Sequence, residues 1–364
     1  MPAAAIRSFS VDVFEAPLKR PFVTALGRKT TSVNIGLTLR LSGGASGYGE
    51  ASSSLALAHL RPRRLAGAVE SLARESIGAD TADWGALAAR AWRRYPEVRP
   101  AVAAFESAVV SALCASRGLS LSDFFGGKLA RLSTDATLSA VGPEETFAHA
   151  REAARDGFKT LKVKVGGAFA DDRARVAAAR RAAPKARLLL DGNQGLSPAG
   201  ALKLVEACLK EGPIELLEQP VRKEDIKGLA FVAKRCPVPV AADEACATPA
   251  DAARLATERA ATAINVKVAK SGLGRALEIA ALARAAGLPL MIGCMTETAR
   301  GLESSVGLAM GTGFFRWVDL DSDYLLAGGG RNKSDVFRRR GPTLEALSRA
   351  GSGTKRRRAR ARAR

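Results

Sequence analysis

Residues 160–193 read TLKVKVGGAFADDRARVAAARRAAPKARLLLDGN. TLKVKV is a short β-branched run, DDRARVAAARRAA carries apolar residues at helical spacing, and ARLLLD is a second run of strand character. The stretch is a strand–helix–strand unit. Its two strands end on Lys164 and Asp191, 27 residues apart.

Outward from this unit the distance recurs. Asp191 to Glu218 is 27 residues, Glu218 to Asp243 is 25, Asp243 to Lys267 is 24, Lys267 to Gly293 is 26 and Gly293 to Asp319 is 26. Each marker lies at the end of a strand candidate (IELLE, VPVAAD, AINVKV, LPLMIG, RWVDLD), with amphipathic segments such as SPAGALKLVEACL and GRALEIAALARAA between them. One interval before Lys164 lies TLSAV, which makes eight strands. Eight βα units predict an α/β fold, a (β/α)8 barrel or modified TIM barrel, in which a charged residue at the C-terminal end of a strand faces the catalytic mouth. A doubly wound open sheet is the rival. It would require a G-x-G-x-x-G after the first strand and would gather its chemistry in one crevice.

The chain before about residue 125 has another pattern. MPAAAIRSFSVDVFEAPLKRPF alternates like a strand, and SVNIGLTLRLSGGASGYGEA reads as two antiparallel strands about a glycine-rich turn. Three helical stretches follow, in HLRPRRLAGAVESLA, DWGALAARAWRRY and RPAVAAFESAVVSALCASRG. This is an α+β domain able to supply a lid over the barrel mouth. The expected division is 1–125 for the capping domain, 126–330 for the barrel, 331–354 for a segment returning to the capping domain, and 355–364 for a disordered basic tail.

The 364 residues are 47% hydrophobic and 25% charged, ordinary for a soluble globular protein, and no run approaches the roughly 18 apolar residues of a membrane span. The N-terminus lacks a signal peptide's charged start and apolar stretch. Five scattered cysteines without a C-x-x-C pair suggest neither a disulfide framework nor a zinc site, so a reducing cytoplasm fits best. The net charge is +20, and the last ten residues, KRRRARARAR, hold seven of the positive charges. That tail is either a solvated end or a contact for nucleic acid. The sequence is compatible with a homo-oligomer and does not define one.

Four strands end in polar pairs at i and i+2: Lys162 and Lys164, Asp191 and Asn193, Asn265 and Lys267, Asp319 and Asp321. Alternate residues of a strand share a face, so each pair can point into the mouth. Asp191, Glu218 and Asp243 end three successive strands. Three converging anions require a cation, and their hard oxygens suit Mg2+. Lys162 and Lys164 precede these strands and Lys267 follows them, which places ammonium groups on both sides of the metal. A substrate carboxylate on the metal would then have a lysine on each face of its α-carbon. Removing the proton there yields an enediolate, whose charge the metal and the ammonium groups neutralise. Lys162 would tune the neighbouring base Lys164 through its positive charge. Two bases on opposite faces give inversion.

The set TLKVKVG, LLLDGNQG, ELLEQP, VAADEA and INVKVAKSGL, in this order and with PFVTAL and GYGEA near the start, resembles the enolase superfamily, in its muconate-lactonizing-enzyme-like subgroup. The likeness runs to about residue 330. It implies Lys164 and Lys267 as the acid/base pair, Asp191, Glu218 and Asp243 as Mg2+ ligands, and a capped barrel fold. WVDLDSD looks like the D-x-D of dipeptide epimerases, which implies that Asp319 and Asp321 receive the ammonium group of a dipeptide substrate. GCMTET holds Glu297, which by the same likeness helps order the mouth. Three positions depart from the pattern: Gly27 stands where Ala-Glu epimerases place a side-chain-binding arginine, with Arg28 one residue on; Cys246 replaces a less reactive residue; LLAGGGRNK diverges after the eighth strand.

The activity expected is Mg2+-dependent dipeptide epimerisation. Two alternatives stand beside it. One keeps the site and changes the outcome, as in o-succinylbenzoate synthase, N-succinylamino-acid racemase or muconate cycloisomerase. The other is a catalytically silent barrel that binds nucleic acid through its basic tail.

Overall fold

The computed structural model describes residues 4–328 and 332–347; the tail expected at 355–364 lies outside them. Three antiparallel strands, β1 (Ile6–Thr24), β2 (Gly27–Leu41) and β3 (Ser46–Ser52), form the N-terminal sheet in that order. In β2 the alternation Ile35, Leu37, Leu39, Leu41 turns one face inward. Helices α1 (Pro62–Arg74), α2 (Trp84–Arg94) and α3 (Arg99–Ser116) follow. Proline in the first turn of α1 and α3 suits the fixed φ needed there. α1 buries Leu65, Ala68, Val69 and Leu72, the stripe of an amphipathic helix, whereas α3 is buried on nearly every side.

After α4 (Leu121–Phe124) and β4 (Arg131–Ser133) the chain enters the barrel: β5 (Ala136–Leu138), α5 (Pro143–Arg155), β6 (Thr160–Lys164), α6 (Phe169–Ala182), β7 (Arg187–Asp191), α7 (Pro198–Leu209), β8 (Ile214–Glu218), α8 (Ile226–Arg235), β9 (Val240–Ala242), α9 (Pro249–Thr257), β10 (Ala263–Val266), α10 (Val268–Ala285), β11 (Leu290–Ile292), α11 (Glu303–Thr312), β12 (Phe315–Val318) and α12 (Ser322–Leu325). The eight strands pair in sequence order from β5 to β12. A hydrogen bond from Asp135 N to Val318 O, 3.0 Å, ties the last strand to the approach of the first.

One side chain from each of β7 to β12 (Leu189, Leu216, Ala241, Ala263, Met291, Trp317) builds an apolar plug inside the barrel. Their neighbours Leu188, Leu190, Leu217, Val240, Ile264 and Ile292 belong to the larger core that includes the helices. Because strand side chains alternate, the residue two positions beyond each plug residue also points inward. Those residues are Asp191, Glu218, Asp243, Asn265, Gly293 and Asp319. The period-two pattern thus sets a polar ring above an apolar floor.

β13 (Phe337–Arg340) and β14 (Thr343–Ala346) form a hairpin that pairs with β4 at the barrel entrance. Within the span 331–354, expected to return to the capping domain, this hairpin is therefore laid on the barrel's own first segment. The chain meets the N-terminal sheet just before this span, where Ala327 N donates to Pro17 O at 2.8 Å, and within it Lys333 and Asp335 line a cavity with Ser10, Asp12 and Phe14 of β1.

α10 is broken at Gly272, whose φ of +72° only glycine adopts freely. There the carboxylate of Glu106, on α3 of the N-terminal domain, accepts from Gly274 N at 2.7 Å. One domain caps a helix of the other. Burial, opposed by hydrogen bonds from Gly274 and Leu273, pushes Glu106 up to about 7.

Candidate active site

The barrel mouth opens into a cleft. Its floor carries Lys164, Asn193, Asp243, Glu244, Lys267 and Lys270, one side carries Asp319 and Asp321, and the N-terminal domain covers it with Phe22, Leu26, Lys29 and Leu55. Lys162 and Glu218 are not on its surface. They lie below it, 1% and 0% exposed.

At the centre, the Lys162 ammonium meets Asp191 Oδ2 at 3.0 Å, Glu218 Oε2 at 2.7 Å and Asp319 Oδ2 at 2.7 Å. Burial alone would lower its pKa, but these acids outweigh burial and hold it well above the usual lysine value. Lys164 reaches the same Asp191 Oδ2 at 2.6 Å. Two lysines therefore share one carboxylate oxygen. Asp191, although buried, is drawn down to about 2 by Lys162 and Lys164, while Glu218 is pushed up to about 7 by burial and the Asp191 charge. Asn265 Nδ2 donates to the other Glu218 oxygen at 2.7 Å.

On the far side, Lys267 Nζ lies 2.8 Å from Asp243 Oδ2 and Lys270 Nζ 2.7 Å from Asp243 Oδ1. Lys270 also donates to the main-chain oxygens of Asp243 and, at 3.1 Å, Asn265. Burial resists the charged state of Lys267, yet Asp243 keeps its pKa above the ordinary range. Burial also resists ionisation of Asp243, yet Lys267 and Lys270 hold it far below the usual carboxylate value. Gly293 gives Lys267 its space: a Cβ there would stand 2.7 Å from Lys267 Cε. Gln219 fixes the strand end after β9, its Oε1 accepting from Asp243 N at 2.9 Å and Ala245 N at 3.1 Å.

Strand order gives these contacts a geometry. In an eight-stranded barrel β6 and β10 are four strands apart and hence opposite, so Lys164 and Lys267 face each other across the mouth. β8, carrying Glu218 between the acids of β7 and β9, is opposite β12, whose end carries Asp319 and Asp321. The four quarters of the mouth are thus lysine, acid triplet, lysine and acid pair.

The donor set fits a hard divalent ion at Asp191, Glu218 and Asp243, since it offers only carboxylate oxygen. Two further buried oxygens facing the cleft, Glu244 Oε2 and Asn193 Oδ1, have no hydrogen-bond partner. Among the described residues the set of three acid or thiol donors lying within 4.8 Å of one another is a different one: Cys294, Asp319 and Asp321. Its chemistry suits a metal less well. Burial and the charges of Asp319 and Asp321 push the Cys294 thiol well above its usual value, so it is a neutral, soft ligand. Asp319 is already bonded to Lys162, and Asp321 Oδ2 accepts from Thr137 N at 2.6 Å.

Two expected positions, Lys162 and Arg28, have a setting other than the one expected, and Glu297 orders the mouth from within its own loop. Lys162, expected to act on Lys164 through a free positive charge, is enclosed by three carboxylates. Arg28 is exposed and does not line the cleft, whereas Lys29 does, donating to Ser53 O at 3.0 Å; burial lowers Lys29 to about 8. Glu297 turns its carboxylate back to Met295 N at 3.0 Å, so it orders the loop whose residues Cys294, Met295 and Thr296 form the wall. The thiol of Cys246 is buried and raised to about 12, an inert packing group.

Sequence reasoning passed over four residues. Lys270 sits one helical turn beyond Lys267, a spacing that could have signalled it. Glu244 was hidden beside Asp243. Lys29 was masked by Arg28. Asp135, fully buried, is pushed well above the usual range by burial, Asp319 and Asp321, and it precedes its strand instead of ending it.

A capped barrel with acid and lysine side chains at these strand ends is the architecture of the enolase superfamily. The chain belongs to it: the family model described as enolase C-terminal domain-like matches residues 145–359. An aromatic dipeptide epimerase of Herpetosiphon aurantiacus is 36% identical over 96% of this chain and 98% of its own length. An L-Ala-D/L-Glu epimerase of Thermotoga maritima is 35% identical over 88% and 91%. The solved structure of a dipeptide epimerase from Enterococcus faecalis V583, complexed with Mg and L-Leu-L-Tyr, superposes with a TM-score of 0.88 at 28% identity, covering 94% of this chain and 97% of that one.

Proposed function

We propose that this protein is a Mg2+-dependent dipeptide epimerase that inverts the carbon next to the substrate carboxylate. The observation that carries the reading is the placement of Lys164 and Lys267 on opposite strands of one cleft, with an acid triplet and an acid pair on the other two quarters. It accords with the names of the relatives.

Mg2+ held by Asp191, Glu218 and Asp243 would supply the positive charge that makes a proton beside a bound carboxylate removable. The residues of the chain do the rest. Asp319 and Asp321 receive the substrate's ammonium group, so the dipeptide lies along the line from β12 to β8. This leaves one face of the α-carbon to Lys164 and the other to Lys267. One lysine in its neutral form takes the proton from its face, and the other, as ammonium, returns a proton to the opposite face. Lys162 stays charged below, balancing Asp191, Glu218 and Asp319. The tip of the β1–β2 hairpin at Phe22–Lys29 and the segment Ser54–Ala56 exclude water from above. No disulfide joins cysteines among the described residues, which fits a cytoplasmic setting.

The test is incubation of a broad dipeptide panel in 2H2O with Mg2+. At least one dipeptide is expected to exchange its α-proton and to yield both configurations; a panel showing no exchange would overturn the reading.

A further inference from the structure

We infer that Glu50 is a positioning residue for the cleft, the joint that fixes its capping wall to its barrel wall. The inference rests on the reading above for its kinetic arm only.

Glu50 lies in β3 and is 4% exposed. Its carboxylate accepts four hydrogen bonds: from Asn34 Nδ2 at 2.8 Å and Thr298 N at 2.9 Å on Oε1, and from Tyr48 Oη at 2.8 Å and Thr298 Oγ1 at 2.6 Å on Oε2. Asn34 reaches the barrel as well, donating from Nδ2 to Thr296 O at 3.0 Å. The site is shaped for the acid, since a Cβ on Gly301 would stand 2.8 Å from Glu50 Oε1. No cation pairs with this carboxylate among the described residues. Four donors, two of them from one barrel residue, hold it instead.

The consequence follows from what flanks the joint. On the barrel side, Cys294, Met295 and Thr296 line the cleft immediately before Thr298. On the capping side, Ser54, Leu55 and Ala56 line it shortly after β3 ends. Within the capping domain the network continues toward the Ser54–Ala56 segment: Ser32 Oγ donates to Asn34 Oδ1 at 2.6 Å, and Ser53 Oγ accepts from Val33 N at 2.9 Å. Glu50 touches no position a substrate could reach, yet it sets the distance between the two walls. As a carboxylate Glu50 makes four charge-assisted bonds; in a glutamine the NH2 would face the Tyr48 and Thr298 hydroxyls, which would have to reverse from donor to acceptor, and the remaining bonds would be neutral and weaker. Loss of the joint lets the walls separate, which weakens substrate binding more than it slows proton transfer between Lys164 and Lys267.

The experiment compares the intact chain with Glu50→Gln, Thr298→Val and a control, Leu72→Ala, which opens a cavity in the capping domain's core away from the joint. Steady-state kinetics are read on the best dipeptide, well below each melting point. Glu50→Gln is expected to raise KM by about tenfold while kcat stays within about threefold. Thr298→Val keeps its N–H bond and raises KM by less. Leu72→Ala lowers the melting point and leaves KM within about twofold. In hydrogen exchange, Glu50→Gln is expected to lose protection at Thr298 and across the two wall segments, with the barrel strands unchanged. The inference is overturned if Glu50→Gln leaves KM unchanged, if Leu72→Ala shifts KM equally, or if exchange at Thr298 stays at the wild-type level. Should the wild type act on no dipeptide, the proposed function fails, and the exchange measurement still decides the joint.

Discussion

Lys162→Met offers the sharpest test of how the site is held together. Methionine replaces the stem of the side chain and deletes the ammonium that touches Asp191, Glu218 and Asp319. Among the described residues Glu218 then has no cation within ion-pair distance, and Asp191 keeps only Lys164. Removing one partner of a buried ion pair costs about 3–5 kcal/mol. Unfolding entropy near 60 °C is about 2.1 cal/mol/K per residue, so a chain of this size loses about 1.3 °C per kcal/mol, and the variant should melt about 4–7 °C below the wild type. The pH dependence has a definite sign. Carboxylates left unpaired in the folded state have folded pKa values above their unfolded ones, so their contribution is intact at low pH and is lost as pH rises through the folded values. The deficit should therefore be larger at pH 8 than at pH 6. The assay is thermal denaturation by circular dichroism in EDTA, so that no divalent ion replaces the missing charge. A melting point within 1 °C of wild type at pH 8, or a larger loss at pH 6, would refute the view that Lys162 balances the three acids.

Other expectations are simpler. Asp319→Asn should reduce kcat/KM for dipeptides by at least about 100-fold, because it removes the charge facing the substrate ammonium; kinetics on free and N-acylated dipeptides would show whether that group is the reason. Lys267→Ala should lower inversion by about 100-fold or more while one configuration still exchanges its α-proton, read by NMR in 2H2O. Arg28→Ala should leave KM within about twofold and Lys29→Met should not, since only Lys29 lines the cleft. Glu106→Gln should gain stability relative to wild type as pH rises from 5 to 8, by no more than about 1.4 kcal/mol per pH unit. The folded Glu106 titrates at about 7, above its unfolded value, so the wild type loses that contribution over this window and the variant does not.

Much of the barrel could be read from the chain because its signal is periodic. The near-constant interval from Lys164 to Asp319 counts βα units, and the two-residue alternation within each strand fixes which side chains turn inward. What escaped was set by contacts between distant segments. Whether Arg28 or Lys29 faces the cleft depends on how the turn at Ala25–Leu26 starts β2, a register question that local composition does not answer. Glu50 and Thr298 are 248 residues apart in sequence, so no local pattern could join them. Asp135 escaped because it stands before its strand, outside the rule that looks for function at strand ends. Glu297 does order the mouth as expected, by way of its own loop, where its carboxylate accepts from Met295 N.

The cap that Glu106 places on α10 bears on how such enzymes could be recombined. Lys267 precedes that helix and Lys270 lies in its first turn, so the strand end that carries Lys267 is anchored in part by a side chain from the other domain. A chimera that exchanged the first 125 residues for those of a relative would import new specificity loops, but it would also exchange the acid on which the break at Gly272 rests. Any such graft must carry a carboxylate at the position of Glu106 together with a glycine at 272, and modularity at this boundary is limited to chains that share both.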